Sequence, residues 1–535
     1  MRKQFDYIVV GGGSAGCALA ARLSENSNIT VALVEAGKRS GGLKVDVPGL
    51  LSKVVPPNPM NWNYWTEPQK HLNNRKLYWP RGKVMGGSSA INGMIYIRGH
   101  ARDYDEWAQL GCKGWSYDDV LPYFKKSEGS DRPDDPYHKG DGPLKVSQRT
   151  SVNPLNEAFL AAGGQMRLPF TGDFNGENQE GVGWFDQTIR NGRRQTTAKT
   201  YLAEAAGREN LTIIADTQVQ RLTLSGKTVT GVEITTGGTI DNLVAAKEVI
   251  LCGGAINSPQ LLQLSGIGNA EDIMSVGLPL LHELPGVGRN MQDHLDMLVA
   301  AHLKQPVSLI RYQSPRRAIG ELAKWFMKKP GVLSDVVLPV GAFVKTDKAL
   351  ERPDIQFHIL LGMADKPHGF AKPHEHGFGV HVCQLRPRSR GTISLASDNP
   401  LVPAKINPNY LADPDDMRVM LAGIKMARQL IHQPALADFI EKEKAPLTGV
   451  HLDDEEAMIE IIRSESETIY HPVGSCSMGP PDNKNSVVDP SLKVIGLNGI
   501  RVADASIMPC LIGGNTNAPT IMIAEKCADM IKSEL

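Results

Sequence analysis

Phe5-Asp6-Tyr7-Ile8-Val9-Val10-Gly11-Gly12-Gly13-Ser14-Ala15-Gly16 opens the chain with a short apolar run that breaks at once into glycines. The run is rich in β-branched residues and reads as a buried parallel strand. The glycines satisfy G-x-G-x-x-G, and Cys17 to Leu23 is small and helix-permissive. A second apolar run, Thr30-Val31-Ala32-Leu33-Val34, ends in Glu35. The pattern is strand, glycine turn, helix, strand, acid. Gly11 permits the tight turn, Gly13 lets backbone approach a pyrophosphate, and Gly16 lets the helix pack closely on the strand. The helix N-terminus offers unpaired N–H groups and partial positive charge to phosphates. Glu35 sits where a carboxylate accepts from a ribose diol and repels a 2′-phosphate. The motif therefore says adenine dinucleotide, and by itself leaves NAD and FAD both open.

Working outward, the 535 residues are enough for two or more domains. Lys+Arg and Asp+Glu are equal at 58 each, which gives no electrostatic case for nucleic acid. The first strand starts almost at Met1, leaving no room for a secretory n-region and h-region. No apolar stretch is long enough to predict a transmembrane helix. Seven scattered cysteines form no C-x-x-C, which fits reduced thiols in a cytoplasmic protein better than disulfides or zinc.

Further along, Arg75 to Pro80 reads as a short strand. Arg81 to Gly99 holds Gly86-Gly87-Ser88-Ser89-Ala90-Ile91-Asn92, a second place where backbone can press on a ligand. Asn92 taken alone reads equally as a cap or turn residue. Residues 101–150 are polar and broken by Pro and Gly, Glu157 to Ala162 reads as helix, and Asn191 to Ala198 as a turn leading into another. Leu211 to Ile214 and Val219 to Leu222 read as strands. Glu248 to Gly268 is a strand, a double glycine and a helix. Asp354 to Leu360, Gly377 to Val382 and Gly391 to Leu395 alternate, which predicts an antiparallel sheet with one covered face. Glu321 to Lys329 mixes apolar and basic residues and reads first as a helix docked on the protein's own core; a surface helix that touches a membrane is the alternative. His368, His374 and His376 lack H-x-x-x-H spacing and read as loop histidines rather than metal ligands. An acidic helix precedes His471-Pro472-Val473-Gly474. Gly513-Gly514-Asn515-Thr516-Asn517-Ala518-Pro519-Thr520 opens the last helix, Ile521 to Ile531.

The glycine pair with Asn92, and the later double-glycine segment, resemble the two signatures of the glucose–methanol–choline (GMC) oxidoreductases, in family order. The resemblance covers essentially the whole chain and is strongest to bacterial FAD-dependent primary alcohol dehydrogenases and choline dehydrogenase. It implies an α/β, Rossmann-like FAD-binding domain, discontinuous over residues 1–155, 200–295 and 460–535. An α+β substrate domain with an antiparallel sheet would take 156–199 and 296–459. FAD contacts are implied at Gly11, Gly13, Ser14, Ala15, Gly16, Glu35, Ala36, Arg81, Gly86, Gly87, Ser88, Asn92, Met94, Val219, Asp504, Ala505, Pro519 and Thr520. Some members bond flavin through a histidine just before the asparagine; Ile91 stands there, which implies non-covalent FAD. The reaction implied is oxidation of a primary alcohol to an aldehyde by hydride transfer to flavin N5. His471 is the base, a fitting role for neutral imidazole, and Asn517 holds the alcohol oxygen. His294, in Gln292-Asp293-His294, reads as structural. Electrons would pass to a quinone or other carrier. An O2-using oxidase and choline dehydrogenase are alternatives, and a hydroxynitrile lyase or a non-catalytic flavoprotein more remote ones. A cytoplasmic site is expected, with contact at the inner face of the membrane left open.

Overall fold

The computed structural model describes residues 3–148, 153–363 and 375–535. The elements used below are, in chain order, β1 (Gln4–Val10), α1 (Ser14–Leu23), β2 (Val31–Val34), β3 (Phe170–Thr171), β4 (Gly181–Trp184), β5 (Leu211–Ile214), β6 (Thr217–Ser225), β7 (Thr228–Thr236), β8 (Thr239–Leu251) and α2 (Gly254–Leu264). They continue with β9 (Leu295–Leu303), α3 (Pro315–Phe326), β10 (Val340–Val344), β11 (Ile355–Leu360), β12 (Gly377–Gln384), α4 (Pro414–Ile431), β13 (Ile440–Glu443), β14 (Glu467–Thr468), β15 (Ile500–Val502) and α5 (Asn517–Ser533).

The first sheet runs β5-β2-β1-β8-β7-β6, with β15 also paired to β8. Its heart is parallel, β5 to β2 to β1 to β8 to β15, and the β6–β7–β8 flank is an antiparallel meander. Every residue of β2 is buried, as a strand covered on both faces requires. At the β1–α1 turn Gly11 has φ +103°, and a Cβ on Gly16 would lie 1.9 Å from the Gly11 carbonyl oxygen. Only glycine closes this turn, so the helix axis starts at the tip of the strand. α5 lies along α1, fastened by the ion pair Arg22–Glu525 (2.8 Å) and by Tyr201, whose hydroxyl donates to Glu525 (2.7 Å).

The second sheet runs β13-β9-β12-β11-β10-β4-β3, with β14 paired to β9. It is antiparallel except for β3 against β4. α4 packs on its far face, close enough at Gly423 that a Cβ would crowd Ile355 and Val382. The architecture is a Rossmann-like α/β unit joined to an α+β unit with an antiparallel sheet.

Some expectations need correction. Thr392–Ser394 pairs with Lys405–Asn407 in a separate two-stranded ladder, not in the main sheet. The 101–150 stretch, expected to be broken, holds helices Ala101–Gln109 and Tyr117–Ser127, each started by a capping box at His100/Asp103 and Ser116/Asp119. Residues 191–198 do open on a turn that leads to a helix, as read: Asn191 and Gly192 close a small hairpin of Ile189–Arg190 with Arg193–Arg194, and a short helix follows at Tyr201–Glu204. The last helix starts four residues earlier than expected, at Asn517. All seven cysteines are unpaired. His368 and His374 lie outside the described residues, and His376 bonds Ser308 at 2.8 Å. No helix among the described residues is long and apolar enough to cross a membrane.

Candidate active site

A cavity of about 1670 Å³ is lined by residues of both sheets. Its cofactor end is made from the tips of β1, β2 and β8. Gly11, Gly13, Ser14, Ala15, Glu35 and Ala36 line it there, with Val219 beside them on β6. Arg81, Gly87, Ser88, Asn92 and Met94 line its middle, and Asp504, Ala505 and Thr520 a further wall. Three expected contacts do not reach the cavity: Gly16 is spent on the α1–β1 packing, Gly86 sits in the left-handed turn behind Gly87, and Pro519 is buried in α5.

The residues fit a dinucleotide. α1 and α5 both point N-termini at the cavity, from Gly13 and Thr516, and neither has a side-chain cap. Such ends hold anionic groups through free N–H donors. Glu35 accepts from Gly12 N–H and Gly37 N–H (2.8 Å each), which aims it while leaving acceptor capacity. Burial pushes its pKa up to about 7, against the pull of those two N–H groups. Asp504 is consumed locally, accepting from Gly254 N–H (2.8 Å), Ser258 Oγ (2.6 Å) and Ser506 N–H (2.8 Å). It braces the α2 terminus where it lines the cavity. Asn92 accepts from Met94 N–H (3.1 Å) and from Arg194 Nη1 (2.8 Å), so it is a turn residue as well as a cavity wall. Arg194, fully buried, was not legible as a site residue; burial alone lowers its pKa to about 9.

At the opposite end stands His471, 8% exposed. The tripeptide Gln292-Asp293-His294 holds it from three directions. Gln292 and Val473 exchange backbone hydrogen bonds (3.0 and 2.9 Å). Asp293 accepts from His471 N–H (2.7 Å) and from the Tyr410 and Thr468 hydroxyls. Arg81 donates to Tyr470 O (2.6 Å), and Tyr470 itself has φ +73°. His294 reaches the ring: its Nδ1 is 3.0 Å from His471 Nδ1, and its Nε2 is 3.1 Å from Leu385 O.

This chain of contacts fixes the protons. A carbonyl only accepts, so His294 carries hydrogen on Nε2 and offers the Nδ1 lone pair. His471 must then donate from Nδ1, which leaves its Nε2 lone pair free on the cavity side. Asn515 Nδ2 approaches that atom at 3.3 Å, and Gln356 Nε2 steadies Asn515 Oδ1 (3.3 Å). The sequence assigned the partner role to Asn517; the structure puts Asn515 there instead. Asn517 Oδ1 accepts from Ser14 Oγ (2.7 Å), tying α5 to the glycine turn. His294, read as structural, touches the His471 ring directly.

Burial lowers the pKa of all three histidines here: His294 to about 3, His358 to about 4, and His471 well below its ordinary value, with the nearby His294, His358 and Arg81 charges adding to the burial. A lowered pKa keeps the base form present below the usual histidine range. Flavin reduction by alcohol is therefore expected to change less than about twofold between about pH 8 and about pH 5.5 in stopped-flow measurements. A histidine of ordinary pKa would lose about tenfold over that span.

Beyond His471 the wall is mainly apolar, with Leu298, Ala300, Leu338, Leu360 and Met363. Its polar members include Asp296, His358 and His381, with Lys444, Glu465 and Glu467 further out along the lining. The His358 ring lies next to the Asn515 amide, and Asp296 Oδ1 is buried without a hydrogen-bond partner. Asp296 Oδ2 binds His381 Nδ1 at 2.6 Å. Burial opposes charge on His381, yet Asp296 outweighs it and holds the His381 pKa above its ordinary value.

Family models described as GMC oxidoreductase match residues 5–296 and 387–524. The chain is 44% identical to an alcohol dehydrogenase [acceptor] of Pseudomonas putida, over 98% of this chain and 95% of that one. It is likewise 44% identical to an oxygen-dependent choline dehydrogenase of Yersinia pseudotuberculosis, over 99% and 94%. Among solved structures, pyridoxine 4-oxidase from Mesorbium loti superposes with a TM-score of 0.90 at 30% identity, covering 99% of each chain.

Proposed function

The chain belongs to the GMC oxidoreductase family, and from that membership we propose that it converts a primary alcohol to its aldehyde with His471 as the base. It is an FAD-dependent oxidoreductase acting on CH–OH donors. The observation that carries the reading is the proton-free Nε2 of His471, left facing the cavity beside Asn515 by the Leu385–His294–His471 chain. That atom takes the hydroxyl proton. The Asn515 amide beside it orients the alcohol oxygen. FAD, when bound along the glycine turn and α5, supplies the two-electron acceptor. The apolar wall excludes water and accepts the carbon chain.

Choline is the second reading. The Yersinia relative carries that name, and Asp296 offers one unpartnered carboxylate oxygen on the substrate side. Asp296 is hydrogen-bonded to His381 and holds that ring towards its charged form, however, which offsets the carboxylate and weighs toward neutral alcohols. On the acceptor, the relatives favour the reading the sequence put second, since oxygen stands in the Yersinia name and an oxidase among the structures. Anaerobic mixing with octanol, benzyl alcohol, an ethylene-glycol oligomer and choline tests both points. Bleaching by the neutral alcohols with choline inert supports the main reading, and bleaching by choline alone overturns it. Rapid recolouring in air identifies O2 as acceptor; slow recolouring that a quinone accelerates identifies a carrier.

Ile91, buried against the cavity where covalent members have histidine, offers no nucleophile. Acid precipitation of the holoenzyme is expected to leave the yellow colour in the supernatant. A yellow pellet would show a covalent bond.

A further inference from the structure

We propose that α3 and the segment after it form a docking face for an anionic lipid surface, set at the lip of the alcohol cavity. α3 is an unusual surface helix. Only Glu321 and Trp325 are buried. Trp325 Nε1 donates to Gly192 O (2.6 Å), with the Arg193 guanidinium 4.5 Å over its ring; Glu321 accepts from Val332 N–H (3.1 Å). The helix is thus fastened along one edge. Ile319, Leu322 and Phe326, at helical spacing, and then Met327 are exposed by 69, 40, 59 and 57%. A helix that served only to cover its own core would turn this stripe inward.

The charge beside the stripe is one-sided. Arg311, Arg316, Arg317, Lys324, Lys328 and Lys329 are all exposed, and Glu321 is the sole acid between residues 309 and 331. The chain as a whole is neutral, so this is a segregated patch. Apolar and aromatic residues on one face with lysine and arginine beside them is the composition of a helix lying in a lipid headgroup layer. Twelve residues are too few to cross a bilayer. A second copy on the same face would set six cations against six, which argues against self-association there. Tyr312, Ala318 and Leu322 also line the alcohol cavity. A surface-bound molecule would open its cavity towards the layer in which apolar alcohols dissolve. That consequence rests on the proposed alcohol chemistry; the docking itself does not.

Vesicle sedimentation of the FAD-loaded protein tests this without any turnover. At low salt the protein is expected to bind vesicles of phosphatidylcholine mixed with phosphatidylglycerol about tenfold or more tightly than phosphatidylcholine alone. The double variant Lys328→Glu/Lys329→Glu should lose about tenfold or more of that binding. The variant Ile319→Ser/Phe326→Ser should lose a comparable factor, with flavin content and melting temperature unchanged in both. Equal binding to the two vesicle types, no binding, or retention by either variant would overturn the proposal. So would a solution dimer that either pair of substitutions dissociates, since the face would then belong to a second copy.

Discussion

Replacing His471 with alanine is expected to leave a folded, yellow protein whose flavin is reduced by alcohol about 10²–10⁴-fold more slowly, the usual worth of a positioned base. The protein should fold because the Asp293 bond to residue 471 is made to the backbone N–H, and the Gln292–Val473 bridge is backbone as well. FAD should stay bound because none of the glycine-turn residues touches the imidazole. What disappears is the one nitrogen with a free lone pair beside Asn515. Anaerobic stopped-flow at saturating alcohol separates this from weakened binding: the limiting rate falls, while the alcohol concentration at half-saturation moves little. An unchanged limiting rate would refute the role.

The second large effect belongs to His294, a positioning residue. His294→Leu deletes the acceptor for His471 Nδ1–H. A buried donor without a partner costs about 1–3 kcal/mol, and the imidazole escapes that cost by turning or by moving its proton to Nε2. Either response removes the lone pair from the cavity. The limiting rate of flavin reduction should fall about ten- to a hundredfold, the same energy expressed as a rate. His294→Gln is the informative partner, since its carbonyl can accept from His471 while its amide donates to Leu385 O. A rate restored to within several-fold by glutamine, at matched melting temperatures, would establish that the contact acts through the proton. If glutamine and leucine are equally slow, the residue only fills space.

The local pattern was legible where neighbours in sequence are neighbours in space. β1, the glycine turn, α1, β2 and Glu35 follow from a strand period, a steric demand at Gly16 and a helix period, all within thirty-five residues. The two helices after residue 100 were hidden by their polar surface, although His100-x-x-Asp103 and Ser116-x-x-Asp119 announce their starts. His471 was legible as the proposed base only through resemblance, because a single histidine has no signature of its own. Asn515 and Asn517 could not be told apart: one stands two residues before α5 and the other is its first residue, and it is Asn515, next to the turn at Gly514 (φ +150°), that faces His471. His294 meets its partner across 177 residues, and Arg194 reaches Asn92 across 102. Contacts of that span leave no periodic trace.

The pairing of β8 with both β1 and β15 has a consequence for how the protein is made. Val10 and Ile500 end up in one parallel sheet, though about 490 residues of chain lie between them. A ribosome adding about 5–20 residues per second needs some 25–100 seconds to deliver β15 after β1 has emerged. Throughout that time the apolar face that α5 will cover stays open to solvent. The sheet that the first thirty-five residues begin is therefore completed only once β15 has been made.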